Sequence, residues 1–223
     1  LTLFTQENVD REFFGYIIPA SVYQSVNPLF IIIFGPLFAA LWIKLGKIGK
    51  EPLTPIKFAL GIIQLGIGYL VLKFGLSFIG VNESAVLMPM IFLILAYMFH
   101  TTGELCVSPV GLSMVTKLAP KRIVAMTMGA WFLANAMAHH IAGLIAKLTS
   151  HSYEGLEVGE PAVMNNIIDQ TGLESYNTEI LTSFDKLAGY ISVFENLGWI
   201  AIGAGILLIA LTPILRKWMH GIH

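Results

Sequence analysis

Five stretches of the chain are apolar on every side for about 20 residues: 21–43, 56–74, 85–112, 123–148 and 190–215. A helix rising 1.5 Å per residue needs roughly that length to cross the hydrocarbon core of a bilayer. Membrane-barrel strands are about 10 residues long and alternate in polarity. These runs are longer and do not alternate, so the pattern predicts five transmembrane helices in an all-α integral membrane protein. One sizeable polar region, residues 150–186, separates the last two spans and is too long for a tight connection. It reads as a surface loop carrying a short amphipathic helix. Val163, Ile167, Ile168, Ile180, Leu181 and Phe184 would form that helix's apolar face.

Charge orients the spans. The connection 44–57 holds four lysines, the connection 117–122 holds Lys117, Lys121 and Arg122, and Arg216 and Lys217 follow the last run. Five crossings place all three basic segments on one side, which predicts that side, and the C-terminus, to be cytoplasmic in the cell's inner membrane. The stretch FIGVNES and the acidic 150–186 region then lie outside, and 150–186 is an extracytoplasmic loop. An odd number of spans beginning outside points to further helices ahead of Leu1. The opening LTLFTQENVDREFF has neither the basic start nor the apolar core of a signal peptide.

A mean hydropathy of +0.74, with 56% hydrophobic and 12% charged residues, agrees with the block pattern. The net charge of −1 offers nothing to nucleic acid. The single cysteine, Cys106, excludes an internal disulfide and a thiolate metal site. Small residues at helical spacing, Gly61 with Gly68 and Ala201 with Gly205, are expected to let helices approach closely.

Polar residues inside the spans change the picture from structure to function. Glu104 lies 13 residues before Lys117, Ser108 nine before it, Trp131 ten after Lys121, and Asn27 fifteen before Trp42. Each is therefore roughly 14–22 Å from the basic edge, around the midplane of a core about 30 Å thick. A carboxylate, an amide, a hydroxyl and an indole from several helices at one level form the pattern of a substrate site in a secondary transporter. An intramembrane carboxylate costs about 2.5–3.5 kcal/mol by insertion scales, which weighs against a purely structural Glu104. Asn27 and Ser108 each precede a proline and read equally as partners for the backbone it frees. Trp131 reads as packing unless it faces Glu104. Pro28, Pro36 and Pro109 cannot donate to the preceding turn and are candidate hinges. His100 shares a helix face with Glu104, as two metal ligands would, but His139 and His140 are adjacent and point to different faces. There is no HExxH, so no metal and no cofactor is expected.

The run GELCVSPVGLSMVTKLAP, followed by MTMGAWFLANAMAHHIAG, resembles the C-terminal signature of proton-dependent oligopeptide transporters of the major facilitator superfamily. QSVNPLF in the first span fits the same family. The resemblance runs from Leu1 to the last span. It implies the C-terminal bundle of such a transporter: five complete transmembrane helices plus the end of a sixth, with Thr2–Phe4 in that end. It further implies symport of di- and tripeptides with protons, no enzymatic activity, and a lipid bilayer and an N-terminal six-helix bundle as partners. Glu104 then matches the glutamate that meets the peptide's amino terminus and pairs with a lysine of the N-terminal bundle. Ser108 matches a pocket hydroxyl, Asn27 an asparagine at the peptide's amino end, and Trp131 a tryptophan of a side-chain pocket. His139 and His140 depart from the Gly-Asn common at those positions. The N-terminal bundle's proton-coupling and carboxylate-binding groups are not in this chain, so alone it is expected to bind peptide poorly and transport nothing. The alternatives are a carrier of another small substrate such as an anion, a membrane metalloenzyme, and a purely structural helical subunit.

Overall fold

A computed structural model describes residues 1–82, 85–151 and 178–218. The elements in chain order are α1 (Thr2–Asn8), β1 (Val9–Asp10), β2 (Glu12–Phe13), β3 (Tyr16–Ile17), α2 (Ala20–Tyr23), α3 (Val26–Lys47), α4 (Thr54–Gly75), a short 3-10 turn (Leu76–Phe78), β4 (Gly80–Asn82), β5 (Ala85–Pro89), α5 (Met90–Leu118), α6 (Val124–His151) and α7 (Thr178–Trp218). Four helical stretches among the described residues are long and apolar enough to cross a membrane: Ala20–Lys47, Thr54–Phe78, Met90–Leu118 and Lys186–Arg216. The 28-residue α6 lies over the remaining expected run.

Several boundaries differ from the apolar pattern. The first run, 21–43, is interrupted at Gln24 and Ser25, so Pro28 falls in the first turn of α3 rather than inside a helix. There its missing N–H is no loss. Pro36 and Pro109 lie inside continuous helices. The third run begins as a strand: Ala85–Pro89 pairs with β4 on one side and β1 on the other, and α5 starts only at Met90. Four apolar residues before a proline do not distinguish a buried strand from a helix start. The last helix begins at Thr178, well inside the expected 150–186 loop. Phe184 is buried in the core. Val163, Ile167 and Ile168 lie outside the described residues.

The centre of the bundle is α4, packed between α5 and α7, with α3 and α6 against α5. Glycines set the contacts. A Cβ on Gly61 would stand 2.6 Å from the carbonyl oxygen of Gly103, and one on Gly103 would stand 2.7 Å from that of Gly61. On the other side of α4, a Cβ at Gly66 would meet the carbonyl of Gly198 at 2.7 Å, and one at Gly205 that of Ala59 at 3.0 Å. Gly68 lies against Ala96 and His100. The small-residue spacing read from the sequence thus marks real helix crossings at Gly61, Gly68 and Gly205.

The best-buried core sits at the end opposite the basic loops. Phe4 and Val9 meet Leu72, Met88, Leu187 and Phe194 there. Phe4 packs edge-on against Tyr190 and Phe194. Strand β5 is parallel to β1, with Val9 opposite Met88 and Asp10 opposite Pro89. Beside it, β2 and β3 form a hairpin turned by Phe14 (φ 51°) and Gly15 (φ 80°), the two positive φ values that a type I′ turn requires. An ion pair between Lys73 and Glu195, with the Trp199 indole donating to the same carboxylate at 3.4 Å, joins α4 to α7. At the basic end, α3 buries none of its residues against this chain.

Enlarging either glycine of the α4–α5 crossing is expected to be costly, because the obstacle is backbone and cannot turn aside. Gly61→Leu in the full-length protein is expected to lose about 1–3 kcal/mol of thermal stability in detergent. Gly203→Leu, on α7 with nothing within 4 Å, is the control. Equal melting temperatures for the two variants would refute the close-approach account.

Candidate substrate-binding face

Asn27 stands near the start of α3, and Glu104 lies midway along α5, where it meets α3. The Asn27 Nδ2 donates to Glu104 Oε2 at 3.4 Å, and the Thr101 hydroxyl reaches Asn27 Oδ1 at 2.5 Å. Thr101 Oγ1 is also 2.7 Å from the Tyr97 carbonyl, so its one proton has two possible acceptors. Thr101 is fully buried, while Glu104 is exposed on a surface that the rest of this chain leaves open. The carboxylate therefore has one oxygen held by an amide, on a residue that remains exposed. Asn27 and Glu104, 77 residues apart, are brought together as the depth count predicted.

Ser108 follows one turn after Glu104 on the same exposed face of α5. Gly111, one turn further along that face, is buried because the Trp131 indole lies on it beside Phe58. Trp131 is thus seven residues, about 10 Å, along α5 from Glu104. The single polar level expected from the sequence is corrected to two: an Asn27–Thr101–Glu104 cluster and, nearer the basic end, an indole over Gly111. Side chains on a helix lean toward its N-terminus. Successive helices run in opposite directions, so Glu104 leans away from the basic end and Trp131 toward it. Counting Cα positions ignores that divergence.

Thr101 was missed by the sequence reading. Its spacing of three before Glu104, which puts the two side chains on one face of the helix, was the available signal. Gln64 was also missed; its amide reaches from α4 to the buried Cys106 thiol at 3.7 Å. His100 and Glu104 do not converge as a ligand pair would. The His100 ring lies against Gly68 and edge-on to Tyr69 of α4, 4.7 Å between centroids, whereas Glu104 meets α3. Among the described residues no three His, Cys, Asp or Glu side chains could hold a metal. His139 and His140 are exposed on α6.

Residues 1–162 match the sequence profile of the POT family. The chain belongs to the POT family. It is 33% identical over its whole length to the uncharacterised transporter YclF of Bacillus subtilis, covering 37% of that protein. It is 28% identical over 99% of its length to the dipeptide and tripeptide permease B of Salmonella typhimurium, covering 39% of it. The fold matches a crystal structure of the peptide transporter POT in complex with sulfate: TM-score 0.68, 31% identity, 99% of this chain and 36% of that one. The chain thus spans less than two fifths of these relatives. Its architecture is that of a helical bundle of the major facilitator type found in solved POT-family structures, a membrane protein whose relatives are transporters.

If Asn27 ties α3 to α5 through Thr101 and Glu104, the energies of removing the two partners are coupled. Asn27→Ala and Thr101→Val, singly and together in the full-length protein, are expected to show a coupling of about 0.5–1.5 kcal/mol in thermal unfolding. Strictly additive losses would mean that the contact carries no energy.

Proposed function

We propose that this chain is the C-terminal half of a symporter that carries di- and tripeptides together with protons. It works by alternating access against an N-terminal six-helix bundle, in the inner membrane, with its C-terminus in the cytoplasm. The observation that carries this reading is the Glu104 carboxylate, held on one oxygen by Asn27 and presented on a face of α3 and α5 that the chain does not cover. A membrane protein does not leave a carboxylate facing lipid. This face is therefore where the other bundle and the substrate meet it. The dipeptide and tripeptide permeases among the relatives supply the substrate class.

The proposed mechanism is a competition for one carboxylate. Glu104 is satisfied in turn by a proton, by a cation of the N-terminal bundle and by the peptide's ammonium. Because the three exclude one another, the passage of one is tied to the passage of the others. Asn27 fixes the carboxylate's orientation and stands beside the peptide's amino end. Ser108, one turn on, offers a hydroxyl to the peptide, and Trp131 closes a side-chain pocket further toward the basic end. Pro36 and Pro109 leave gaps in the hydrogen-bond ladders of α3 and α5 and are the points where those helices bend, whereas Pro28, in the first turn of α3, breaks no ladder and is not a hinge. The basic connections carrying Lys44, Lys47, Lys50, Lys117, Lys121 and Arg122 set the orientation. An anionic substrate is disfavoured because Glu104 would repel it.

Uptake of a labelled dipeptide into liposomes tests the proposal, using the full-length transporter with and without an inward proton gradient. Glu104→Gln is expected to lower gradient-driven uptake at least about tenfold, while peptide exchange without a gradient persists, since the amide still accepts a hydrogen bond but takes up no proton. Undiminished concentrative uptake by Glu104→Gln would defeat the mechanism. No dipeptide uptake by the wild type would defeat the substrate assignment.

A further inference from the structure

On the side of α5 away from Asn27, a cavity of about 170 Å³ lies between the basic ends of α4 and α5. Thr54 and Lys57 of α4 and Ser113 and Lys117 of α5 supply its polar lining, with Pro109 and Val110 among its apolar lining. No carboxylate among the described residues lines it. The Lys57 side chain is only 9% exposed, an unusual degree of burial for an ammonium group. It pairs with Glu51 from the α3–α4 connection, itself 46% exposed, and its Nζ stands 4.8 Å from the centre of the Trp42 ring. The Trp42 indole N–H is buried without an acceptor among the described residues. The cavity therefore gathers two ammonium groups and two hydroxyls, and the one carboxylate shown beside it, Glu51, is paired with Lys57 and partly exposed. Ammonium groups outnumber carboxylates, and an anion is the missing complement.

The level of the cavity selects the anion. Lys57 is in the first turn of α4 and Lys117 in the last turn of α5, where the hydrocarbon gives way to headgroups. Ser113 lies nine residues, about 14 Å, beyond Glu104, so the cavity is separate from the substrate-binding face. Basic pockets between helices at this depth recognise phosphate-bearing lipid headgroups.

We propose that the cavity between α4 and α5 binds a phosphoryl oxyanion through Lys57 and Lys117, assisted by the Thr54 and Ser113 hydroxyls, and that its source is the phosphodiester of an anionic phospholipid. Each lysine has three donors, so Lys57 can hold Glu51 and a phosphate oxygen together. The inference does not depend on peptide being the cargo.

The full-length protein, purified in detergent, is exposed to phosphatidylglycerol or phosphatidylcholine, and bound lipid is counted by native mass spectrometry. Phosphatidylglycerol is expected to be retained by the wild type in clear preference to phosphatidylcholine. Each of Lys57→Gln and Lys117→Gln is expected to lower that preference about fivefold. Lys44→Gln/Lys47→Gln, at the same end but outside the cavity, is expected to leave it unchanged. Lys117 is exposed, so its variant decides the matter even if Lys57→Gln proves unstable. A second arm compares thermal unfolding of lipid-free protein in inorganic phosphate and in chloride at equal ionic strength. Stabilisation by phosphate without lipid preference would overturn the lipid source. Equal loss in the Lys44/Lys47 control, or neither lipid preference nor a phosphate effect, would overturn the site.

Discussion

Lipid tails are as apolar as leucine, so nothing squeezes helices together inside a bilayer as water does around a soluble core. What holds α4 to its neighbours is contact at short range, and contact is greatest where two backbones touch. The glycine pairs at Gly61–Gly103 and Gly66–Gly198 supply that on opposite sides of one helix. Their effect reaches beyond stability. With α4 fixed against α5, one side of α5 is committed to packing and the other is left to face α3 and the open surface. The polar residues follow this division. Cys106 and His100 are on or near the packed side, and Glu104 and Ser108 are on the free one.

The two ends of the bundle solve different problems. At the end away from the basic loops, aromatic rings and short strands close a buried core around Leu72, Met88, Leu187 and Phe194. At the basic end the helices are held by charges and a cation–π contact, with Lys57 between Glu51 and Trp42. Burial is tight at one end and polar and partly hollow at the other. Pro109 interrupts the hydrogen-bond ladder of α5 between the Glu104 cluster and that looser end.

Much of this was legible in the sequence because the bilayer demands long, uniformly apolar helices and tolerates few charges. The helices around 56–74 and 123–148, the glycine contacts and the meeting of Asn27 with Glu104 all follow from that demand and from counting along helices. What was not legible came from interactions that periodicity does not encode. Residues 85–89 are as apolar as a helix start, and only the partner strands Val9–Asp10 and Gly80–Asn82 make them a strand. The long start of α7 is polar at its first turns, so hydropathy missed it. Trp131 was misplaced because depth was counted on the backbone, whereas the side chains of antiparallel helices lean in opposite directions. Thr101 was overlooked because a buried threonine usually satisfies itself on its own helix, as Thr102 does on the Met98 and Phe99 carbonyls.

The parallel pairing of Val9 and Asp10 with Met88 and Pro89 has a mechanical consequence. It joins the end of α1 to the residues that lead directly into α5, and Pro89 stiffens the junction. Such a link gives far less than a free loop would, because backbone pairing holds the two segments side by side. A displacement of α1 would therefore meet its first resistance at the start of α5, the helix that carries Glu104. The strand pair is short, but it is a tie-rod.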